Sequence, residues 1–389
     1  MSQLYHFHHH DYLSGLALGH QECDGSNDPC TRECTPTGGS NEQICKHGNY
    51  TCNLTCSQEN GKQTCMAKKC NLEYSGNNSS QRCIGEVERC KMDCNRGDCD
   101  QLCNGKEYCI MQCSGKKCTQ RCNGPAKGCK MNCSGEECNQ YCNAEDCDMQ
   151  CSGENCTQRY NGQVKRCNMK CSGRECKQYC KGKESCKMQC SDGEVCNQLC
   201  NGEGDCILRC NGEGCDQRCS GQAKGCNVTC SGKRCNQRCN AQVKSCNMQC
   251  SGKNCTQDCK RQLDKCNMQC NGIICEQTCH AHTCNMTRYG PRNRLTKQIC
   301  RSGNGTCYQH IMMQCSMGSF DINCYRSGRC IASKRLNSDC SPSILYTSNV
   351  VKSASITTIQ VIATPTSTVQ GKQNYQACSD CPRPKMMKR

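Results

Sequence analysis

The sequence predicts an all-β fold, a disulfide-stapled β-solenoid of about thirteen coils of about 20 residues, with two short strands per coil. Three observations predict it. Of the 389 residues, 57 are Cys, none is Trp and 2 are Phe, so cross-links must replace an aromatic core. Gln recurs every 18 to 20 residues from residue 43 to residue 277. A second column with the same period is apolar and most often Met.

The repeating unit is C-x-M-x-C, S/N-G-x-x, C-x-Q-x-C and a second loop of four to six residues. In a strand, side chains at i, i+2 and i+4 share one face, so Cys246, Met248 and Cys250 point together. A helix would place the Met nearly opposite the two Cys, and five residues between Gly-containing loops are too few for a stable helix. A long antiparallel meander remains the alternative, but it leaves one face and both edges unprotected.

The Gln column predicts a polar ladder inside the solenoid. A buried Gln is costly unless its amide forms hydrogen bonds. Stacked Gln amides can bond to one another along the axis, as in cross-β structures. Hydrogen bonding between the stacked amides would explain why Leu never occupies this position.

The spacing of the Cys residues predicts bridges across the corners of each coil. Two Cys within one strand lie about 13 Å apart, too far for a disulfide. At the corner bounded by Tyr74 and Ser79 both Cys are missing together. The rule gives ten bridges across the first type of corner and twelve across the second. Candidates include Cys94–Cys99, Cys113–Cys118, Cys250–Cys255, Cys259–Cys266, Cys270–Cys275 and Cys279–Cys284.

Three further Cys residues of the array lack a Cys partner across their own corner. Cys34 and Cys56 lose their corner partners in adjacent coils and can bridge each other. Tyr160 stands where the partner of Cys167 would be. Cys167 is therefore predicted to be a free or intermolecular thiol.

Composition divides the chain into four regions. Residues 1–29 are expected to be a flexible segment, 30–287 the solenoid array, 288–340 a small, irregular Cys-rich cap, and 341–389 a Ser/Thr-rich stalk or disordered basic tail. Residues 1–22 lack the pattern of a signal peptide, so either the N-terminus is incomplete or the export route is unusual. No segment has the roughly 20 apolar residues that span a bilayer.

Cysteine at this density indicates an oxidising, extracellular compartment. Metal-thiolate storage is disfavoured because the array contains neither C-x-C nor C-x2-C. No Ser/His/Asp, HExxH, P-loop or dinucleotide motif is present, so neither an enzyme nor a cofactor is predicted. Four sequons are predicted N-glycosylation sites, Asn49, Asn77, Asn227 and Asn304.

Charge is concentrated at the C-terminal end. The formal net charge is +16, of which residues 288–389 carry +12, from 15 Lys/Arg and 3 Asp. Contact with a polyanion is therefore expected there, at Arg288, Arg292, Arg294 and Lys297. No nucleic-acid-binding module is recognisable, so nucleic acid is not an expected partner.

The run C-N-M-Q-C-S-G-K-N-C-T-Q-D-C, residues 246–259, resembles the repeats of cysteine-rich tandem-repeat proteins of invertebrate, especially cnidarian, extracellular and skeletal organic matrices. The resemblance is to a style of repeat and carries no catalytic residue across. It implies a matrix component. The chain departs from the acidic, mineral-nucleating type because it is basic and has no Asp/Glu runs.

The sequence therefore predicts a secreted structural or interaction protein of an extracellular matrix or coat. Its expected partners are matrix components or acidic glycans, with self-association of the rods as a further expectation. One alternative is a recognition module for acidic polysaccharide or a cell surface. The second alternative is a metal-thiolate storage protein.

Overall fold

The computed structural model describes residues 20–23, 29–33, 41–162, 165–240, 242–260, 263–291, 295–301, 306–314, 320–324, 329–336 and 358–361. Within these ranges the chain forms strands joined by turns and bends, with no helix. Every strand pairs in parallel with the equivalent strand of a neighbouring coil. The predicted β-solenoid is confirmed.

The coils build two facing parallel sheets. The strands that carry the recurring Gln form the Gln sheet, and those that carry the recurring Met form the Met sheet. The Gln sheet contains β5 (Ser79–Ile84), β7 (Asp98–Asn104), β9 (Lys117–Cys122), β11 (Glu137–Cys142), β13 (Asn155–Tyr160), β15 (Glu175–Cys180), β17 (Val195–Cys200), β19 (Gly214–Cys219), β21 (Arg234–Cys239), β23 (Asn254–Cys259), β25 (Ile274–Cys279), β27 (Leu295–Cys300) and β29 (Phe320–Cys324).

Strands of the Met sheet alternate with strands of the Gln sheet along the chain. It contains β6 (Arg89–Cys94), β8 (Tyr108–Cys113), β10 (Gly128–Cys133), β12 (Asp146–Cys151), β14 (Arg166–Cys171), β16 (Ser185–Cys190), β18 (Asp205–Cys210), β20 (Gly225–Cys230), β22 (Ser245–Cys250), β24 (Lys265–Cys270), β26 (Thr283–Pro291), β28 (Thr306–Gln314), β30 (Arg329–Leu336) and β31 (Thr358–Val361).

The first coils have longer strands than the rest of the array, and the described stack starts at residue 20. β3 (Glu42–Cys56) and β4 (Lys62–Tyr74) each run through a corner and serve both sheets. β1 (His20–Cys23) and β2 (Cys30–Glu33) both pair with β3. The parallel stack therefore already includes residues 20–23, which lie inside the segment expected to be flexible.

The stack also continues beyond the predicted boundary at residue 287. β27 and β29 extend the Gln sheet, and β28 and β30 extend the Met sheet. A Cys300–Cys307 bridge closes a corner between them. In the described parts of 288–340, the strands pair in register with those of the array. Variable corner lengths hide these coils in the sequence, although the strands keep their register.

The strands follow from a strict alternation of buried and exposed residues. In β8 the buried positions are Cys109, Met111 and Cys113, and the residue directly before each of them is exposed. Many of the longer loops add one small or medium apolar side chain to the interior, which the repeat pattern had not indicated. Buried examples are Val87, Ala126, Ala144, Ala223, Val243, Leu263 and Ala281.

The recurring Gln residues form a continuous buried ladder. In each step the Nε2 of one Gln donates to the Oε1 of the Gln one coil earlier. Fourteen such bonds, 2.6 to 3.2 Å long, connect Gln21 to Gln298. The second hydrogen reaches across to the Met sheet, as in Gln140, which donates to the carbonyl of Gln150 at 3.0 Å. Each amide thus joins two coils and two sheets.

The corners are closed by disulfides and stacked glycines. The structure forms all twenty-two of the predicted corner bridges, with Cα atoms 6.0 to 6.6 Å apart. Cys23 also pairs with Cys30. A Cβ on Gly135 would overlap the carbonyl oxygen of Gly115 in the coil below, so no larger residue fits the corner.

Replacing Gln140 with Leu should destabilise the neighbouring coils. The change removes the partners of three groups, namely Gln120 Oε1, one Gln158 Nε2–H and the Gln150 carbonyl. Each buried group left without a partner costs about 1–3 kcal/mol, so local opening should become easier by about 3 kcal/mol. Hydrogen exchange of the β11 and β13 amides measures this. The control is Met149→Leu, which should cost less than about 1.5 kcal/mol; equal effects would contradict the ladder's role.

Reduction of the disulfides should unfold the solenoid. Two bridges per coil contribute about 4 kcal/mol in the chain-entropy model, against roughly 1.5–3 kcal/mol for burying one Met. We expect the far-UV circular dichroism of the strands to disappear when the protein is reduced and alkylated in native buffer. Mock-treated protein is the control. A retained β spectrum after complete alkylation would show that the ladder alone sustains the fold.

Candidate functional site

The ion pairs on the rod surface mostly join opposite charges that lie one coil apart. Arg174 lies 2.9 Å from Glu194, and Lys127 lies 2.9 Å from Glu107. Each pair is separated by 20 residues, the length of one coil. The hydrogen bond from Lys127 to Glu107 raises the pKa of the Lys127 ammonium. The solenoid thus neutralises much of its own surface along the axis.

The outer face of the Met sheet departs from this pattern. It carries an open groove of about 1100 Å³, which we call the basic groove. In register it runs through eight coils, from Thr51 to Ser185, about 34 Å along the axis. Its charged lining residues are seven cations, Lys69, Arg89, Lys91, Lys130, Arg166, Lys170 and Lys187, and two carboxylates, Asp146 and Asp148.

The centre of the basic groove is apolar and exposed. Tyr108 and Ile110 are outward residues of β8, and their exposed fractions are 54% and 41%. The Tyr108 ring lies over Gly128 of the next coil. A Cβ at that position would be 3.1 Å from Cδ1 and 3.2 Å from Cε1 of the ring. The glycine therefore makes room for the ring to lie along the sheet.

The two carboxylates of the basic groove already have partners. Asp146 accepts two hydrogen bonds from Arg166, at 3.3 and 3.2 Å. Asp148 accepts one from Asn168 at 3.0 Å. Among the described residues, no ion pair involves the remaining cations of the groove, Lys69, Arg89, Lys91, Lys130, Lys170 and Lys187.

The outer face of the Gln sheet is also basic, but it is more nearly neutralised. Its central column places Arg159 between Tyr141 and Tyr179. The arginines on either side are paired, Arg121 with Asp100 at 3.3 Å and Arg218 with Asp216 at 2.6 Å. Two smaller cavities, of about 630 and 260 Å³, lie along this column.

Of the polyanion contacts expected at the C-terminal end, Arg288 and Lys297 are described, and they do not form one surface. Arg288 is completely buried, and its guanidinium donates to the carbonyls of Gly272 and Ile273 at 3.3 and 3.2 Å. Burial lowers the pKa of Arg288 to about 10, so it remains a cation at neutral pH. The prediction for Arg288 is wrong because this side chain fills the corner above the last bridge of its column, Cys270–Cys275.

The other residues expected to contact a polyanion are placed as follows. Lys297 is exposed and lies 3.4 Å from Glu276 of the preceding coil. The side chains of Arg292 and Arg294 lie outside the described residues. No cluster of tail cations is therefore seen in the described part of the chain.

The glycosylation candidates occupy different parts of the coil. Asn49 and Asn77 are exposed at corners, and Asn77 donates to Glu59 at 3.4 Å. Asn227 lies on β20, where its Oδ1 accepts from Asn247 at 3.0 Å. Asn304 lies outside the described residues. The corner positions offer more room for a glycan than the flat sheet face does.

Cys167 is a free thiol, and the interior surrounds it. It is buried, and Tyr160, completely buried, occupies the place of its missing partner. Burial raises the pKa of the Cys167 thiol well above its usual range, and the charge of Asp148 acts in the same direction. The thiolate, which is the reactive form, is therefore suppressed. Cys56 is disulfide-bonded, while its expected partner Cys34 lies outside the described residues.

Several groups of three Cys sulfurs lie close enough together to hold a metal ion geometrically, for example Cys94, Cys99 and Cys113. All three are oxidised in disulfides here, with Cys113 paired to Cys118. A metal requires thiolates. These groups therefore arise from the stacking of bridged corners.

The basic groove was not found from the sequence, although its residues show a signal. Lys69, Arg89 and Tyr108 precede the first Cys of successive Met strands, and Lys91, Ile110 and Lys130 follow it. Reading down these columns rather than along the chain brings the cations together.

No family model, curated protein or solved structure matches this chain. In its described part, no helix has the length and apolarity required to cross a membrane.

Cys167 should resist alkylation in the folded protein. Reaction requires local opening, so we expect maleimide labelling roughly 100-fold slower than that of an exposed thiol. Above about pH 8.5 the Cys167 thiol of the unfolded chain loses its proton, whereas burial keeps the thiol of the folded protein protonated. The free energy of unfolding should therefore decrease as the pH rises above that value. Intact-mass spectrometry should show one adduct only after denaturation without reductant.

The control for this labelling is Cys167→Ser, which should take up no maleimide in either state. Rapid labelling in native buffer would contradict the buried position of the thiol. A covalent dimer on a non-reducing gel would instead show that Cys167 is intermolecular.

Proposed function

We propose that the protein is a secreted structural rod of an extracellular matrix or coat. The observation that carries this proposal is the unbroken Gln ladder flanked on both sides by bridged corners. A column of about 15 coils extends about 67 Å along its axis. A rod that is cross-linked at nearly every corner resists bending and local opening.

The state of the cysteines supports an extracellular location. Disulfides at this density are stable in oxidising compartments and are reduced by cytosolic glutathione. The same pairing weighs against storage of metal on thiolates, because only Cys167 is free among the described Cys residues. The outward side chains are mostly small, polar or ion-paired, which suits a non-catalytic scaffold.

Recognition of acidic polysaccharide is a second candidate function. The basic groove favours it, because six of its cations form no ion pair within the described part of the chain and an exposed aromatic ring lies among them. A structural rod and a glycan-binding surface are compatible in one molecule, since a matrix component must be held among its neighbours.

The proposed function is tested by locating the protein in its native tissue. Immunogold labelling should place it outside cells, in an insoluble layer that salt and detergent do not extract. Purified native material should appear as thin rods by negative-stain electron microscopy and should contain no stoichiometric metal by elemental analysis. Predominantly cytosolic labelling, or reduced thiols with bound metal, would overturn the proposal.

A further inference from the structure

We propose that the basic groove of the Met sheet binds a linear anionic polysaccharide, with Lys69, Arg89, Lys91 and Lys130 contacting its sulfate or carboxylate groups and Tyr108 contacting a sugar ring. The chain would lie along the rod axis. This surface is distinct from the C-terminal cations that the sequence had indicated.

The first support is that like charges are stacked in this groove. Lys69 and Arg89 are register partners on adjacent strands, about 4.8 Å apart at the backbone. Like charges directly opposite each other destabilise a sheet. Elsewhere on the rod, cations such as Lys127 and Arg174 are paired with carboxylates one coil away. An anionic ligand would neutralise the groove in the same way.

The second support is the arrangement of the apolar centre among these cations. Ile110 lies in register between Lys91 and Lys130, and Tyr108 lies between Arg89 and Gly128. The bare backbone at Gly128 supports one part of the Tyr108 ring, while more than half of the residue remains exposed. Tyr offers a large, rigid contact area with little loss of conformational freedom on binding. The apolar face of a sugar ring fits such a platform.

The shape of the groove indicates the kind of ligand. The groove is straight and crosses eight coils, so it matches an extended polymer better than a compact molecule. Lys91 and Lys130 lie two coils apart, about 9.6 Å at the backbone, which is comparable to the length of a disaccharide. An acidic chain with one charged group per disaccharide can therefore contact both of these cations.

Two other polymers or surfaces are less well matched. A membrane surface would require a broad apolar face, whereas the exposed large apolar residues here are Tyr108 and Ile110. Single-stranded nucleic acid is usually bound by several successive aromatic rings. The described groove offers one such ring, and the disulfides favour a compartment without nucleic acid.

The experiment uses the full-length oxidised protein and measures affinity by titration calorimetry at several salt concentrations. The probes are a heparin oligosaccharide, an oligogalacturonate and an uncharged cello-oligosaccharide. A poly-dT oligonucleotide and phosphatidylserine vesicles represent the competing ligands. Circular dichroism and a disulfide count verify that each variant is folded, which outward substitutions on a bridged coil should permit.

The decisive comparison is between two double variants with the same loss of charge. Lys91→Gln with Lys130→Gln should weaken binding of an acidic oligosaccharide about tenfold and lower the salt dependence by about two counterions. Arg174→Gln with Lys233→Gln, at ion-paired corner positions that do not line the groove, should change neither. This control is required because any protein of net charge +16 attracts heparin non-specifically.

Tyr108 provides an independent readout. Tyr108→Ala should weaken binding about tenfold without changing the salt dependence, because the lost contact is uncharged. Tyr108→Phe should retain the affinity of the unaltered protein. Stronger binding of heparin or of oligogalacturonate identifies the sulfate or the carboxylate as the preferred group.

Four results would overturn the proposal: no binding of either acidic oligosaccharide, equal weakening by the two double variants, no effect of Tyr108→Ala, or tighter binding of the oligonucleotide or the vesicles. The inference rests on the second candidate function and deepens it by naming the residues that contact the polysaccharide and the direction in which it lies. The measurements use purified protein, so they are independent of where the protein is located in tissue.

Discussion

The fold depends on a single interaction repeated along its axis, the hydrogen bond between one buried glutamine amide and the next. Along most of the ladder each such side chain uses its two donors and its acceptor, as Gln140 does toward Gln120, Gln150 and Gln158. Because buried amides are costly when unpaired, a coil that slipped out of register would leave several groups without partners. The ladder therefore fixes register more strictly than an apolar column could, and the disulfides at the corners hold the register that it selects.

That division of roles explains how the chain folds almost without aromatic residues. The Met column accepts substitution, since Leu54, Leu72, Leu208 and Val228 occupy it without interrupting either sheet. The bridged corners also tolerate exceptions. Where Tyr74 replaces a Cys, its ring extends over Gly61 and its hydroxyl donates to the Gln58 carbonyl. No described position of the Gln ladder between Gln21 and Gln298 shows such an exception.

Much of this architecture could be predicted because alternation in a strand and spacing around a corner are local properties. The inward faces, the two sheets and the partners of the corner cysteines all follow from a few neighbouring residues. The burial of Arg288 could not be predicted in the same way, because its environment is set by Gly272 and Ile273 of the preceding coil. The basic groove could not be predicted from the sequence for the same reason. Its cations are about 20 residues apart in sequence, and their proximity appears only after the coils are stacked in register.

All the amides of the ladder point the same way, with each Nε2 directed toward the N-terminal neighbour and each Oε1 toward the C-terminal one. Their dipoles add along the axis instead of cancelling, and within each sheet every strand runs in the same direction. The two directions along the rod axis are consequently chemically different at every coil. A polymer with its own chemical direction, lying along the side of such a rod, would encounter different surroundings in its two possible orientations.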